Sequence, residues 1–119
     1  MKNILSILTV LTLLMIPITA FADEGPMKLP SGAKPEAVSH NKEGIVSWNK
    51  KEYKGALMHF SAASKIDGSS GEIHFNEAIC YDKIGQHGVA TKHFGVALKK
   101  AGGNTKLLNS PILKGHLGM

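Results

Sequence analysis

Six histidines and a single cysteine are the side chains of this 119-residue chain with the most chemistry to offer. A neutral imidazole binds metals and moves protons near neutral pH, and a thiolate is a nucleophile and a soft ligand. Four of the histidines form two pairs with one offset, His40 with His74 and His59 with His93. If that offset is a structural period, the partners of each pair stand about one helix-packing distance apart, roughly 8–10 Å. Donors to one ion must each come within about 2 Å of it. No two histidines lie at i, i+4, and no Cys-x-x-Cys-His haem motif is present. The spacing therefore predicts no metal and no cofactor, with the histidines packed beside aromatic residues as inherited positions. Cys80 has no partner for an intramolecular disulfide, and Val46 occupies its slot one period earlier, so a small buried apolar role is expected. Serine-histidine-aspartate, nucleophile-elbow, phosphate-loop and zinc-protease patterns are all missing, and the chain is not expected to be an enzyme.

The offset is part of a longer regularity. Residues 37–70 laid on 71–104 without a gap give nine identities in 34 positions. They are His40/His74, Glu43/Glu77, Ile45/Ile79, Ala56/Ala90, His59/His93, Phe60/Phe94, Ala63/Ala97, Lys65/Lys99 and Gly68/Gly102. A period of this size means stacked supersecondary units, none of which buries its apolar face alone. In 71–84, Ile73, Ala78, Cys80, Tyr81 and Ile84 recur at helical spacing, and Gly85 then interrupts. In 87–101, Val89, Ala90, Phe94, Val96, Ala97 and Leu98 make a second apolar stripe; Tyr53, Ala56, Leu57, Phe60, Ala63 and Ile66 make one in the first unit.

The second unit resembles the tetratricopeptide repeat. Ala78, Tyr81, Gly85, Ala90, Phe94 and Ala97 follow that family's order of small, aromatic, turn, small, aromatic and small residues, with His74 and Glu77 departing from it. The first unit keeps Gly44, Tyr53, Ala56, Phe60 and Ala63, with Ser47 for the aromatic and Lys51 for the turn glycine. The resemblance implies an all-α fold of antiparallel helix pairs stacked as a short superhelix. It also implies a partner-binding groove on the inner face of the first helices. By position, that face holds Asn41, Ile45, Trp48 and Asn49, then Phe75, Ile79, Asp82 and Lys83. Trp48 is either a binding anchor or the filler of the slot that Ser47 leaves empty.

Outside the repeats, residues 1–22 read as a signal peptide. Lys2 is followed by an apolar run over 4–16, and Ala20-Phe21-Ala22 gives a small-x-small cleavage pattern with Asp23 as mature N-terminus. The run is too short for a membrane span, so an exported protein, periplasmic or secreted and not membrane-bound after cleavage, is expected. Residues 23–36 carry prolines and glycines among polar neighbours and read as a flexible tether. Residues 105–119 read as a capping segment, with Ser110-Pro111 starting a helix whose Ile112, Leu113 and Leu117 share a face.

Every basic residue is lysine, and after Asp82 no acidic residue follows. This asymmetry suits an acidic partner or a head-to-tail contact between copies, and equally a solvated surface. Without an aromatic-basic platform, nucleic acid is not an expected partner. The leading expectation is an exported, non-catalytic module that binds a peptide or protein segment in the groove of its repeats. The alternative is a self-assembling structural unit, with a periplasmic metal or redox carrier third.

Overall fold

The computed structural model describes residues 24–119, and the regular structure among them is all helical. The expected signal peptide lies outside the described residues. Six helices follow in order: α1 (Pro35–Asn49), α2 (Tyr53–Ile66), α3 (Gly71–Lys83), α4 (His87–Lys99), α5 (Thr105–Leu108) and α6 (Pro111–Leu117). α1 packs on α2 and α3 on α4, joined by short turns that make neighbours antiparallel. α2 stacks on α3, and α6 covers α4. No described helix is long and apolar enough to cross a membrane.

Small residues set the distance between helices. Ala56, Ala63, Ala90 and Ala97 are fully buried, and Phe60 and Phe94 fill the space beside them. Gly44 of α1 faces Phe60 so closely that an added Cβ would fall within the ring. Gly71 does the same for backbone, since its Cβ would meet the Ala97 carbonyl. One buried cluster gathers Phe75, Ile79, Phe94, Leu107 and Leu113; a second gathers Ala37, Phe60, Ile73 and Cys80. Trp48 packs against both.

Turns and caps follow from residue type. Gly85 closes the α3–α4 turn at φ +85°, and its counterpart Lys51 takes φ +62° in the α1–α2 turn, where a side chain is strained. Ser70, Asn104 and Ser110 cap α3, α5 and α6 by accepting from Ile73, Leu107 and Leu113 N–H groups. Ser110-Pro111 thus starts the terminal helix as the sequence predicts.

The expected tether is corrected over its described part. Pro35 and Glu36 form the first turn of α1, and the residues before them are docked. Met27 is 6% exposed and belongs to the second repeat's core. Asp67 at the end of α2 accepts from the Lys34 N–H at 3.0 Å and from the Ser69 hydroxyl at 2.6 Å. Proline- and glycine-rich composition disfavours helix and strand, but it does not stop an extended segment from burying one apolar side chain per few residues. Met27 is that side chain.

Candidate functional site

The inner face expected from the sequence comes from residues 41, 45 and 48 of α1 and 75, 79 and 82 of α3, each set spaced to lie along one helix side. The structure brings these two rows together and lays residues 24–29 of the same chain along them. Asn41 is 2% exposed, and its amide donates to the Met27 carbonyl at 3.1 Å. Asn76, fully buried, does more: its Oδ1 accepts from the Met27 N–H at 2.7 Å, and its Nδ2 donates to the Met27 carbonyl at 2.7 Å. That Nδ2 also donates to Asn41 Oδ1 at 2.8 Å. Two carboxamides therefore grip both backbone groups of one extended residue, as a neighbouring strand would.

The other expected residues divide. Phe75 and Ile79 are buried and form the floor on which Met27 rests. Ile45 and Trp48 are half-buried. Trp48 meets Tyr53 edge to face at 4.9 Å, and a Cβ on Gly25 would stand 3.8 Å from its indole nitrogen. It therefore fills space between the repeats and also borders the docked segment. Asn49 is exposed. Lys83 is exposed, with its ammonium 6.0 Å from the Trp48 ring and 5.6 Å from the Tyr53 ring. Asp82 is turned to the far end of α3, where its Oδ1 pairs with His87 Nδ1 at 2.8 Å and His116 Nε2 at 2.7 Å. Burial works against its charge, but the hydrogen bonds from the two rings and their positive charge outweigh that and hold it below the usual carboxylate range.

Asn76 was not among the residues expected from the sequence. Its signal was there to read: an asparagine in mid-helix, on a face with Phe75 and Ile79, needs hydrogen-bond partners once buried. The repeat alignment hid it, because its counterpart is Lys42. At the ends of the docked segment, Glu24 accepts from the Ile112 N–H at 2.8 Å. Beyond Met27 the groove opens into an apolar depression of about 350 Å3 lined by Leu29, Val38, Ile45 and Val46, with Lys28 and Lys42 at its rim.

Histidines also gather, within each repeat rather than between equivalent slots of the two. Within each repeat, the two helices bring their histidines and one glutamate together: His40, Glu43 and His59 in the first, His74, Glu77 and His93 in the second. Asp82, His87 and His116 form a third group.

Fold and groove together define an all-α, TPR-like helical repeat with a C-terminal capping helix. No family model and no solved structure matches the chain. It is 39% identical over 64 residues to sperm-associated antigen 1 of Homo sapiens, a protein containing tetratricopeptide repeats. The match takes in 54% of this chain and 7% of that protein's length.

Proposed function

We propose that this chain is an exported, non-catalytic protein-interaction module that binds an extended peptide along the inner face of α1 and α3, and that its own residues 24–29 occupy the groove until a partner replaces them. The grip of Asn41 and Asn76 on the Met27 backbone carries this reading. Contacts to backbone accept any extended segment, while the apolar floor under Met27 selects the side chain at one position. The docked segment is a tethered competitor whose effective concentration is on the order of millimolar for a short connection. A partner peptide must therefore bind well or meet the groove when the segment is out.

The test uses the full chain with Met27→Gly, which removes the anchor and leaves the repeats intact. A labelled Gly-Pro-Met-Lys-Leu-Pro peptide is titrated into it and into the unmodified chain, read by fluorescence anisotropy. The peptide is expected to bind the variant at least tenfold more tightly, and Asn76→Ala in the same background should abolish binding. A Met27→Gly chain that keeps its helical circular dichroism yet binds no peptide would defeat the proposal.

A further inference from the structure

We infer that the second repeat holds a binding site for a divalent transition-metal ion, zinc(II) above all, made by His74 Nδ1, Glu77 Oε1 and His93 Nδ1. His74 and Glu77 lie at i, i+3 on α3, and His93 reaches them from α4. Glu77 Oε1 stands 3.6 Å from His74 Nδ1 and 4.0 Å from His93 Nδ1, and the three atoms all lie within 4.8 Å of one another. The Glu77 side chain is only 8% exposed, and those of His74 and His93 are 14% and 26%.

The three atoms that converge are buried and have no hydrogen-bond partner. Two polar atoms beside them do have partners. Glu77 Oε2 accepts from the Ser61 hydroxyl of α2 at 3.3 Å, which turns Oε1 toward the two rings. His74 Nε2 stands 2.9 Å from the Gly68 carbonyl, a group that can only accept, so Nε2 carries the proton. The Nδ1 of the neutral ring is then a bare lone pair aimed at a carboxylate oxygen. At 3.6 Å even a protonated Nδ1 would be too far for a hydrogen bond. Tyr81 stacks on the His93 ring at 5.1 Å and fixes its plane.

A cation answers the electrostatic problem that these lone pairs pose to each other. Two imidazoles and one carboxylate suit zinc, with a fourth position left for water or a partner's side chain. Bonds of about 2.0–2.1 Å in a tetrahedron hold donors roughly 3.3 Å apart, so binding needs only a small inward turn of the side chains. The carbonyl behind His74 is the outer contact that metal-bound histidines ordinarily make. The other two groups fit less well. In the first repeat, the side chains of the equivalent His40, Glu43 and His59 are 39%, 57% and 38% exposed; His40 Nδ1 is buried without a partner, but Glu43 Oε2 already stands 3.0 Å from His59 Nδ1 and water competes for both of those side chains. In the third, Asp82 Oδ1 is paired with both rings, and His116 Nδ1 is 2.9 Å from the Thr91 hydroxyl, so the donors are already satisfied.

The full chain, dialysed against chelator, is titrated with zinc chloride by competition calorimetry. One tight equivalent is expected, with the melting temperature rising as zinc is added and falling back with chelator. Glu77→Gln should weaken that equivalent at least tenfold, and Glu43→Gln should leave it in place. Because Glu77→Gln could disturb the fold, long-range 1H–15N spectra of the unmodified chain give an independent reading. Zinc should move the Nδ1 signals of His74 and His93 first. Uptake unchanged by Glu77→Gln in a folded protein, no tight uptake by the unmodified chain, or shifts confined to the other histidines would overturn the assignment.

Discussion

Cys80 shows how far a single side chain is governed by its surroundings. It is fully buried between the repeats, and burial together with the Glu77 charge one turn earlier pushes its thiol up to about 12. The thiolate is therefore absent at neutral pH, and the nucleophilic or soft-ligand chemistry open to a lone cysteine is closed to this one. The native protein is expected to leave a thiol reagent such as dithionitrobenzoate unreacted at neutral pH and to react fully in denaturant. Fast native labelling would show that the α2–α3 contact opens readily. The buried apolar role expected from Val46 in the equivalent slot agrees with this environment. Asn76 lacked such a guide, since its role comes from a segment 49 residues away that no repeat slot encodes.

At the scale of helices and turns, the two repeats are the same design executed with different strain. Gly85 adopts its left-handed turn conformation without steric cost, whereas Lys51 holds φ +62° with a side chain attached. For such a residue the conformation costs roughly 1–2 kcal/mol, partly offset in a glycine variant by the freedom that glycine loses on folding. Lys51→Gly is therefore expected to stabilise the chain by about 1 kcal/mol, raising its melting temperature by several degrees in calorimetry. A fall in melting temperature would mean that the lysine side chain makes a contact worth more than the strain. The helices themselves were legible because the alanines, glycines and phenylalanines at fixed offsets record where two backbones approach. What the period did not convey is that Thr91, outside the apolar stripe, is half-buried with its hydroxyl against His116 of α6.

For the whole molecule, two repeats are few for a stable stack, and Met27 with the last two helices completes its core. Leu107 and Leu113 are fully buried in the core of the second repeat, with Ile112 and Leu117 packed beside them. Burying each leucine is worth about 1.5–3 kcal/mol, so the pair, about 3–6 kcal/mol, is comparable with the lower end of a small domain's net stability, roughly 5–15 kcal/mol. A chain ending at Asn104 is expected to lose cooperative thermal unfolding or to aggregate, as seen by calorimetry and light scattering. A truncated protein that stays monomeric and melts like the parent would show that α5 and α6 contribute little.

The period of residues 37–104, with its alanines, phenylalanines and turn positions, was enough to determine an all-α stack of two helix pairs, because contacts within and between repeats are local and recur. The serine-proline start of the last helix was equally readable, since capping depends on neighbours three residues away. Tertiary structure alone decided two things. It placed residues 24–29 in the groove, a docking that depends on amides of α1 and α3 meeting one backbone far from them in sequence. It also paired His74 with His93 across a helix hairpin, where they face each other although no sequence motif spans their separation. Both arrangements depend on which faces of separate helices turn toward one another, and that is set by packing rather than by spacing along the chain.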